Sequence, residues 1–87
     1  MKTQLIPMIK TKAHHWEAVG IVDDMSIHAI INERDDGSCK CTVSLVHNGT
    51  GYERSSPHQS VDHALFFINR MSNPLGFEFQ VVKTATT

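Results

Sequence analysis

The chain has two cysteines and six histidines, which are candidate nucleophiles, general bases and metal ligands. Cys39 and Cys41 are two positions apart in a strand-like segment, so their thiols point to one face, and a disulfide across that spacing is strained. A structural zinc ion needs about four converging nitrogen or sulfur ligands. His28 and His47 are expected several residues along the strands from Cys41. We therefore predict buried free thiols, no metal site and no cofactor.

The remaining histidines do not favour catalysis. His58 and His63 are five residues apart, about 140° around a helix, unlike the i,i+4 pairs that chelate metals. His28 falls on the predicted core face, where a buried, hydrogen-bonded histidine is expected. The chain has no nucleophile elbow, phosphate-binding glycine loop or metalloprotease motif. We predict that the protein is not an enzyme; a hydrolase or transferase using His28 or Cys41 is a third hypothesis.

Composition sets the outer bounds. The 87 residues are 40% apolar and 20% charged, which is typical of one folded domain, and the net charge is −1. No apolar run reaches the roughly 20 residues that span a bilayer, so no membrane partner is expected. Pro7 and Lys10 interrupt the short N-terminal apolar patch, which predicts no secretory signal. We expect a cytoplasmic protein, in the host cytoplasm if a phage encodes it.

Two glycine turns set the predicted register of the sheet. Asp36-Gly37 and Asn48-Gly49 favour two-residue hairpin turns. The residues around them predict an antiparallel meander with strands over 16–23, 27–34, 39–46 and 52–55. Residues 1–12 add a possible edge strand or arm, because Pro7 suits only an edge or a bulge.

A helix follows the meander. Ser56 is the predicted N-cap and Pro57 the first helical residue, and an apolar stripe runs from Val61 to Met71. Asn73-Pro74 and Gly76 end the helix; a last strand is predicted over 77–83, and 84–87 form a frayed tail. The prediction is a single α+β domain over residues 1–87. It has an antiparallel meander sheet of four to five strands with one helix packed on one face, in the order β-β-β-β-α-β.

The register divides the apolar side chains between two faces. The predicted core face carries Val19, Ile21, His28, Ile30, Cys41, Val43, Leu45 and Tyr52. The predicted second face carries Trp16, Val22, Ile27, Ile31 and Val46. A three-residue loop instead of a two-residue turn would reverse one strand.

The second apolar face is the basis of the functional prediction. One helix covers one face, so the other must meet the N-terminal segment, a second copy or a partner. Phe66 and Arg70 are predicted on the outer helix surface. The predicted interface residues are Trp16, Val22, Ile27, Ile31, Phe66 and Arg70. We predict a small non-catalytic protein-interaction module, a binding or inhibitor protein such as a phage or mobile-element accessory protein acting on host machinery, with a homodimer as an alternative.

Nucleic-acid binding is the alternative. The eight lysines and arginines are scattered, whereas nucleic-acid binders cluster cations that neutralise phosphates. The support for this alternative is one segment, in which cations and an aromatic ring could contact phosphates and bases: Lys10, Lys12, His14, His15 and Trp16. No motif in the chain is specific enough to indicate a family.

Overall fold

A computed structural model of the chain describes residues 3–82. These residues form six strands and one α-helix. In chain order the elements are β1 (Gln4–Lys12), β2 (His15–Val22), β3 (Met25–Glu33), β4 (Cys39–His47), β5 (Thr50–His58), α1 (Val61–Ser72), a 3₁₀ turn (Asn73–Leu75) and β6 (Phe77–Val82). In this part of the chain no helix is long and apolar enough to cross a membrane.

The six strands form one sheet in the order β5-β4-β3-β2-β1-β6. The first five strands are an antiparallel meander; α1 then crosses the sheet and β6 pairs parallel to β1. The predicted α+β class, with a meander sheet and one helix on one face, is confirmed. The sheet has one strand more than the four or five predicted, because residues 4–12 form a complete strand. Lys83 and the predicted frayed tail, 84–87, lie outside the described residues.

The prediction that Pro7 confines β1 to an edge or a bulge was wrong, because β1 lies inside the sheet and its register shift is at Lys10–Lys12. The paired positions between β1 and β2 run from Ile9 to Lys12, and Pro7 lies beyond them. Its missing N–H therefore interrupts no ladder on that side. The Gln4 side chain donates instead to the Ile21 carbonyl of β2 (3.2 Å). On the other side, Pro7 takes its place in the parallel register with β6.

Two of the three meander turns connecting β2 to β5 have the predicted length. Leu45 pairs with Tyr52 across the Asn48-Gly49 turn, which confirms the β4–β5 register. The β2–β3 turn is Asp23-Asp24, one residue before the predicted Asp24-Met25. Both aspartates have positive φ (48° and 66°), as the mirror-image two-residue turn requires. Moving the turn by one residue changes the β2–β3 pairing by two positions. Side chains of β2 and β3 that were predicted to share a face therefore still share one.

The β3–β4 turn has three residues, not two. The Arg34 N–H donates to the Ser38 carbonyl (2.7 Å), and the Gly37 N–H donates to the Arg34 carbonyl (3.0 Å). Gly37 has φ 92°, a left-handed conformation that glycine adopts without strain. The Asp36 carboxylate accepts from the Ser38 N–H and hydroxyl, and these hydrogen bonds lower the pKa of Asp36. The extra loop residue turns β4 over relative to β3.

Because of this turn, the side chains of β2 and β3 lie on the opposite faces from those predicted, relative to the side chains of β4 and β5. Val22, Ile27 and Ile31, which were assigned to the second face, are buried on the face that α1 covers, hereafter the covered face. Val19 and Ile21, which were assigned to the core, lie on the opposite, open face. The face assignment of these two strands was wrong because β4 pairs with β3 one residue out of the predicted register: Ile31 pairs with Cys41.

The N-cap of the helix lies four residues later in the chain than predicted. Ser60 is the N-cap, and its hydroxyl accepts from the His63 N–H (3.1 Å). Ser56 and Pro57 belong to β5, because β4 is long enough to pair with every residue through His58. Pro57 is tolerated there since β5 is an edge strand. The helix ends as predicted, before a 3₁₀ turn and the left-handed Gly76.

The core lies between α1 and the covered face. α1 contacts strands at both edges of the sheet: Asn69 bonds to Phe79 of β6, and Phe67 lies beneath Arg54 of β5. The helix therefore reaches both edges of the covered face. The buried hydrophobic residues are Ile6, Met8, Ala18, Val22, Ile27, Ala29, Ile31, Cys39, Cys41, Val43, Ala64, Ile68, Phe77 and Phe79.

Candidate interaction surface

The open face carries exposed aliphatic side chains that no part of residues 3–82 covers. Val19 and Ile21 on β2 are 68% and 67% exposed. Together with half-buried Ile30 and three more exposed side chains on β1 and β6 they form what we call the aliphatic cluster: Leu5, Ile9, Val19, Ile21, Ile30 and Val82.

Strand pairing makes this cluster continuous. Ile9 of β1 pairs with Val82 of β6 and with Glu17 of β2, and Glu17 pairs with Ile30 of β3. Paired residues share a face of the sheet, so these positions form one row across four strands. Val19 follows Glu17 on the same face by the two-residue period of a strand. The cluster therefore occupies the part of the open face formed by β3, β2, β1 and β6, four of the six strands.

A polar pair lies within the cluster. His28 Nε2 is 2.5 Å from Glu17 Oε2, and the His28 side chain is 43% exposed. His28 was predicted on the core face; it lies on the open face because β3 is turned over relative to that prediction. The pair combines an imidazole and a carboxylate, but neither residue lines any of five cavities found among residues 3–82. It contributes hydrogen bonding to a flat surface.

The predicted interface residues do not share one surface. The three from β2 and β3 named above are core residues. Trp16 is half-buried on the covered face, with Lys10 Nζ 5.0 Å from its ring centroid. Phe66 is exposed on the outer surface of α1, as predicted, with the Arg70 guanidinium 5.8 Å from its ring. Phe66 and Arg70 are thus far from the open face, on the other side of the sheet.

The segment proposed to bind nucleic acid is divided between the two faces. Lys10 pairs with Trp16 on the covered face, whereas Lys12 pairs with His15 on the open face. His15 Nδ1 is 2.7 Å from the Asn32 side-chain oxygen. His14 has φ 62° in the β1–β2 turn and contacts the Glu33 carboxylate (3.0 Å). The cations and the ring do not line a common groove.

The two cysteines are buried free thiols, as predicted. Burial raises the pKa of Cys41 to about 12, and it also raises the pKa of Cys39. Both thiols are therefore protonated at neutral pH, and a protonated thiol is a poor nucleophile. Cys39 Sγ donates to the Ser60 carbonyl at the start of α1 (3.3 Å), which is a structural role.

His58 and His63 meet although their spacing did not predict it. His58 is the last residue of β5 and only His63 is in α1, so the helical angle assumed for the pair was wrong. Their Nδ1 atoms are 3.1 Å apart, and His58 Nε2 is 2.7 Å from Ser56 Oγ. Burial, followed by the charge of His63, lowers the pKa of His58. Within residues 3–82 no three His, Cys, Asp or Glu side chains converge to hold a metal ion.

A second surface feature, which we call the groove, lies on the covered face between the C-terminal half of α1 and strands β4 and β5. Its volume is about 200 Å³, and its lining is almost entirely apolar. The groove is lined by Val43, Leu45, Tyr52, Arg54, Ile68, Met71, Ser72, Leu75 and Phe77. Sequence reasoning placed Leu45 and Tyr52 correctly on the covered face but could not show that α1 leaves them partly uncovered.

Comparisons with protein-family models, with curated proteins and with solved structures gave no match.

Proposed function

We propose that the chain is a non-catalytic protein-interaction module that docks through the open face of its sheet, and that a second copy of the chain is the occupant. The exposed aliphatic cluster carries the proposal. Contiguous apolar surface rimmed by polar groups marks interaction sites, and Val19 and Ile21 each expose two thirds of their surface to water. An inhibitor or accessory role on host machinery is the finer form of the proposal and depends on the same surface.

The size of the cluster fits a weak dimer. Four strands about 4.8 Å apart, with about eight residues at roughly 3.3 Å each, span on the order of 500 Å². Two copies then bury about 1,000 Å² in total, the lower limit for a specific interface. We therefore expect a dimer that dissociates on dilution to micromolar concentration.

Charges on the open face are arranged for self-association. Lys12 and Lys40 lie in register at one end of the sheet, through the paired positions of His15 and Asn32. Glu78 lies at the opposite end, paired with Leu5. A twofold axis across the strands brings Lys12 of one copy towards the Glu78 end of the other, whereas Lys40, on β4, lies outside the aliphatic cluster.

The Glu17–His28 pair is compatible with docking. A buried charge is costly when it lacks a partner, and here each group already has one. The pair also restricts the orientation of a docked partner, because a partner that displaces either side chain leaves the other without a hydrogen bond.

Sedimentation velocity with paired variants tests the proposal. We expect wild type to reach twice the 9.7 kDa chain mass at several hundred micromolar, and the double variant Val19→Ser/Ile21→Ser to stay monomeric at the same concentration. Phe66→Ser, which removes an equally exposed apolar residue from the outer surface of α1, is the matched control and should dimerise like wild type.

Two other outcomes are informative. A monomeric wild type that captures a different protein, with capture lost in Val19→Ser/Ile21→Ser and kept in Phe66→Ser, would retain the docking surface and replace the second copy as occupant. Assembly or capture that the double variant does not change would contradict the proposal.

A further inference from the structure

The groove on the covered face has the form of a small ligand site. Its floor consists of buried Val43, Ile68 and Phe77. Tyr52 and Leu75, which are 55% and 50% exposed, form its rim. A concave apolar site with few polar groups is the usual form of a small-molecule pocket, and the walls come from the helix as well as from the sheet.

One cation, Arg54, lines the groove. The Arg54 guanidinium stacks 5.5 Å from the Phe67 ring centroid, and its Nη1 is 3.6 Å from Met71 Sδ. Arg54 and Met71 also line an adjoining shallow cavity of about 360 Å³, together with Phe67 and Arg70. The ion pairs found among the described residues are made by histidines, and neither Arg54 nor Arg70 contributes to them.

We propose that the groove binds an aliphatic carboxylate, with the hydrocarbon tail on the apolar floor and the carboxylate on Arg54. Arg70 lines only the adjoining cavity and contributes a more distant positive charge. The volume of the groove, about 200 Å³, is below the roughly 300 Å³ at which ligand pockets usually begin, so the groove takes only a short aliphatic chain.

The fit between ligand and site has two separate physical sources. Tail burial removes apolar surface from water. Guanidinium matches the carboxylate with two parallel N–H donors, and Arg54 is already oriented by Phe67 and Met71, so less freedom is lost on binding. This site is on the opposite side of the sheet from the aliphatic cluster and does not depend on the proposed docking function.

A titration followed by amide and methyl NMR tests the site, with octanoate as the probe. We expect octanoate to shift the resonances of Val43, Leu45 and Ile68 with saturation, and octan-1-ol to bind about tenfold more weakly. Arg54→Gln should weaken octanoate about tenfold and leave octan-1-ol unchanged, because it removes the charge but keeps the floor. Arg70→Gln should have a smaller effect in the same direction.

Arg34→Gln is the matched control, since Arg34 is an exposed arginine at the β3–β4 loop, and it should bind octanoate like wild type. No saturable shift at Val43 or Ile68 up to millimolar octanoate would overturn the proposal. Equal weakening by Arg34→Gln and Arg54→Gln would also overturn it, because it would indicate a general charge effect. The Val19→Ser/Ile21→Ser variant should keep wild-type octanoate binding, so failure of the docking proposal and failure of this one are distinguishable.

Discussion

Ile27 and Ile21 show how differently the two faces of this sheet are used. They lie on neighbouring strands, β3 and β2, and have the same side chain, yet Ile27 is 1% exposed and Ile21 is 67% exposed. Their exposure differs because they lie on opposite faces of the sheet. The helix α1 covers the face of Ile27, and nothing in residues 3–82 covers the face of Ile21. The exposed aliphatic residues of the open face are therefore the observation on which the proposed docking depends.

The largest effect is expected from truncating each isoleucine in turn. Ile27→Ala should lower the free energy of unfolding by about 3 kcal/mol, because it leaves a cavity under α1. Ile21→Ala should lower it by less than about 0.5 kcal/mol, since that side chain is mostly in water. Urea unfolding at low micromolar concentration, where self-association is absent, measures both. Similar losses for the two variants would mean that the faces are assigned wrongly.

The close approach of β1 and β2 gives the next largest effect. A Cβ added at Gly20 lies 3.2 Å from two carbons of Ile6, which is 1% exposed. Gly20→Ala should therefore cost about 2 kcal/mol through overpacking, and adding Ile6→Val should recover part of it. The control is Gly51→Ala, where the new Cβ meets nothing within 4 Å. Chemical denaturation that found Gly20→Ala as stable as Gly51→Ala would show that Ile6 moves aside freely.

The two edges of the sheet differ as the two faces do. On β6, the Asn69 side chain accepts from the Phe79 N–H (2.8 Å) and donates to the Phe79 carbonyl (3.0 Å), so α1 satisfies the backbone of that edge. Asn69→Ala should cost about 1.5 kcal/mol and speed amide exchange at Phe79. Gln59→Ala, at an exposed position before the helix, is the control. Unchanged exchange at Phe79 would contradict this role.

The smallest effect concerns pH. The pKa of His58 lies below its ordinary value of 6.5 because burial disfavours the charged form. The unfolded chain therefore binds the proton more readily, and this contribution to stability is present above pH 6.5 and decreases as the pH falls towards the folded pKa. We expect Tm to fall less steeply below pH 6.5 in His58→Gln than in wild type. Parallel Tm profiles for the two proteins would show that His58 does not contribute.

Local signals predicted much of the fold. Asn48-Gly49 gave the β4–β5 register because a two-residue turn fixes which residues pair. The apolar stripe from Val61 to Met71 located α1, and Gly76 marked its end. These features depend on residues close together in the chain, whose conformational preferences act in the same direction as the tertiary structure.

The residues of the open face were predicted wrongly because of a single turn. Asp36-Gly37 is compatible with a two-residue turn or with a three-residue loop ending in a left-handed glycine. The structure has the second, in which Ser38 donates two hydrogen bonds to the Asp36 carboxylate. One extra residue exchanges the faces of every side chain beyond it. Pro7 was misplaced because its position depends on β6, which is about 70 residues away in the chain and pairs with β1.

Methyl relaxation by a soluble paramagnetic chelate tests the central claim, docking through the open face, most directly. At several hundred micromolar, we predict that the methyl groups of Val19 and Ile21 are protected from the chelate, and that they become accessible at a few micromolar. Leu75, half exposed beside the groove, should be equally accessible at both concentrations. Full relaxation of the Val19 and Ile21 methyl groups at both concentrations would contradict docking of a second copy through the open face.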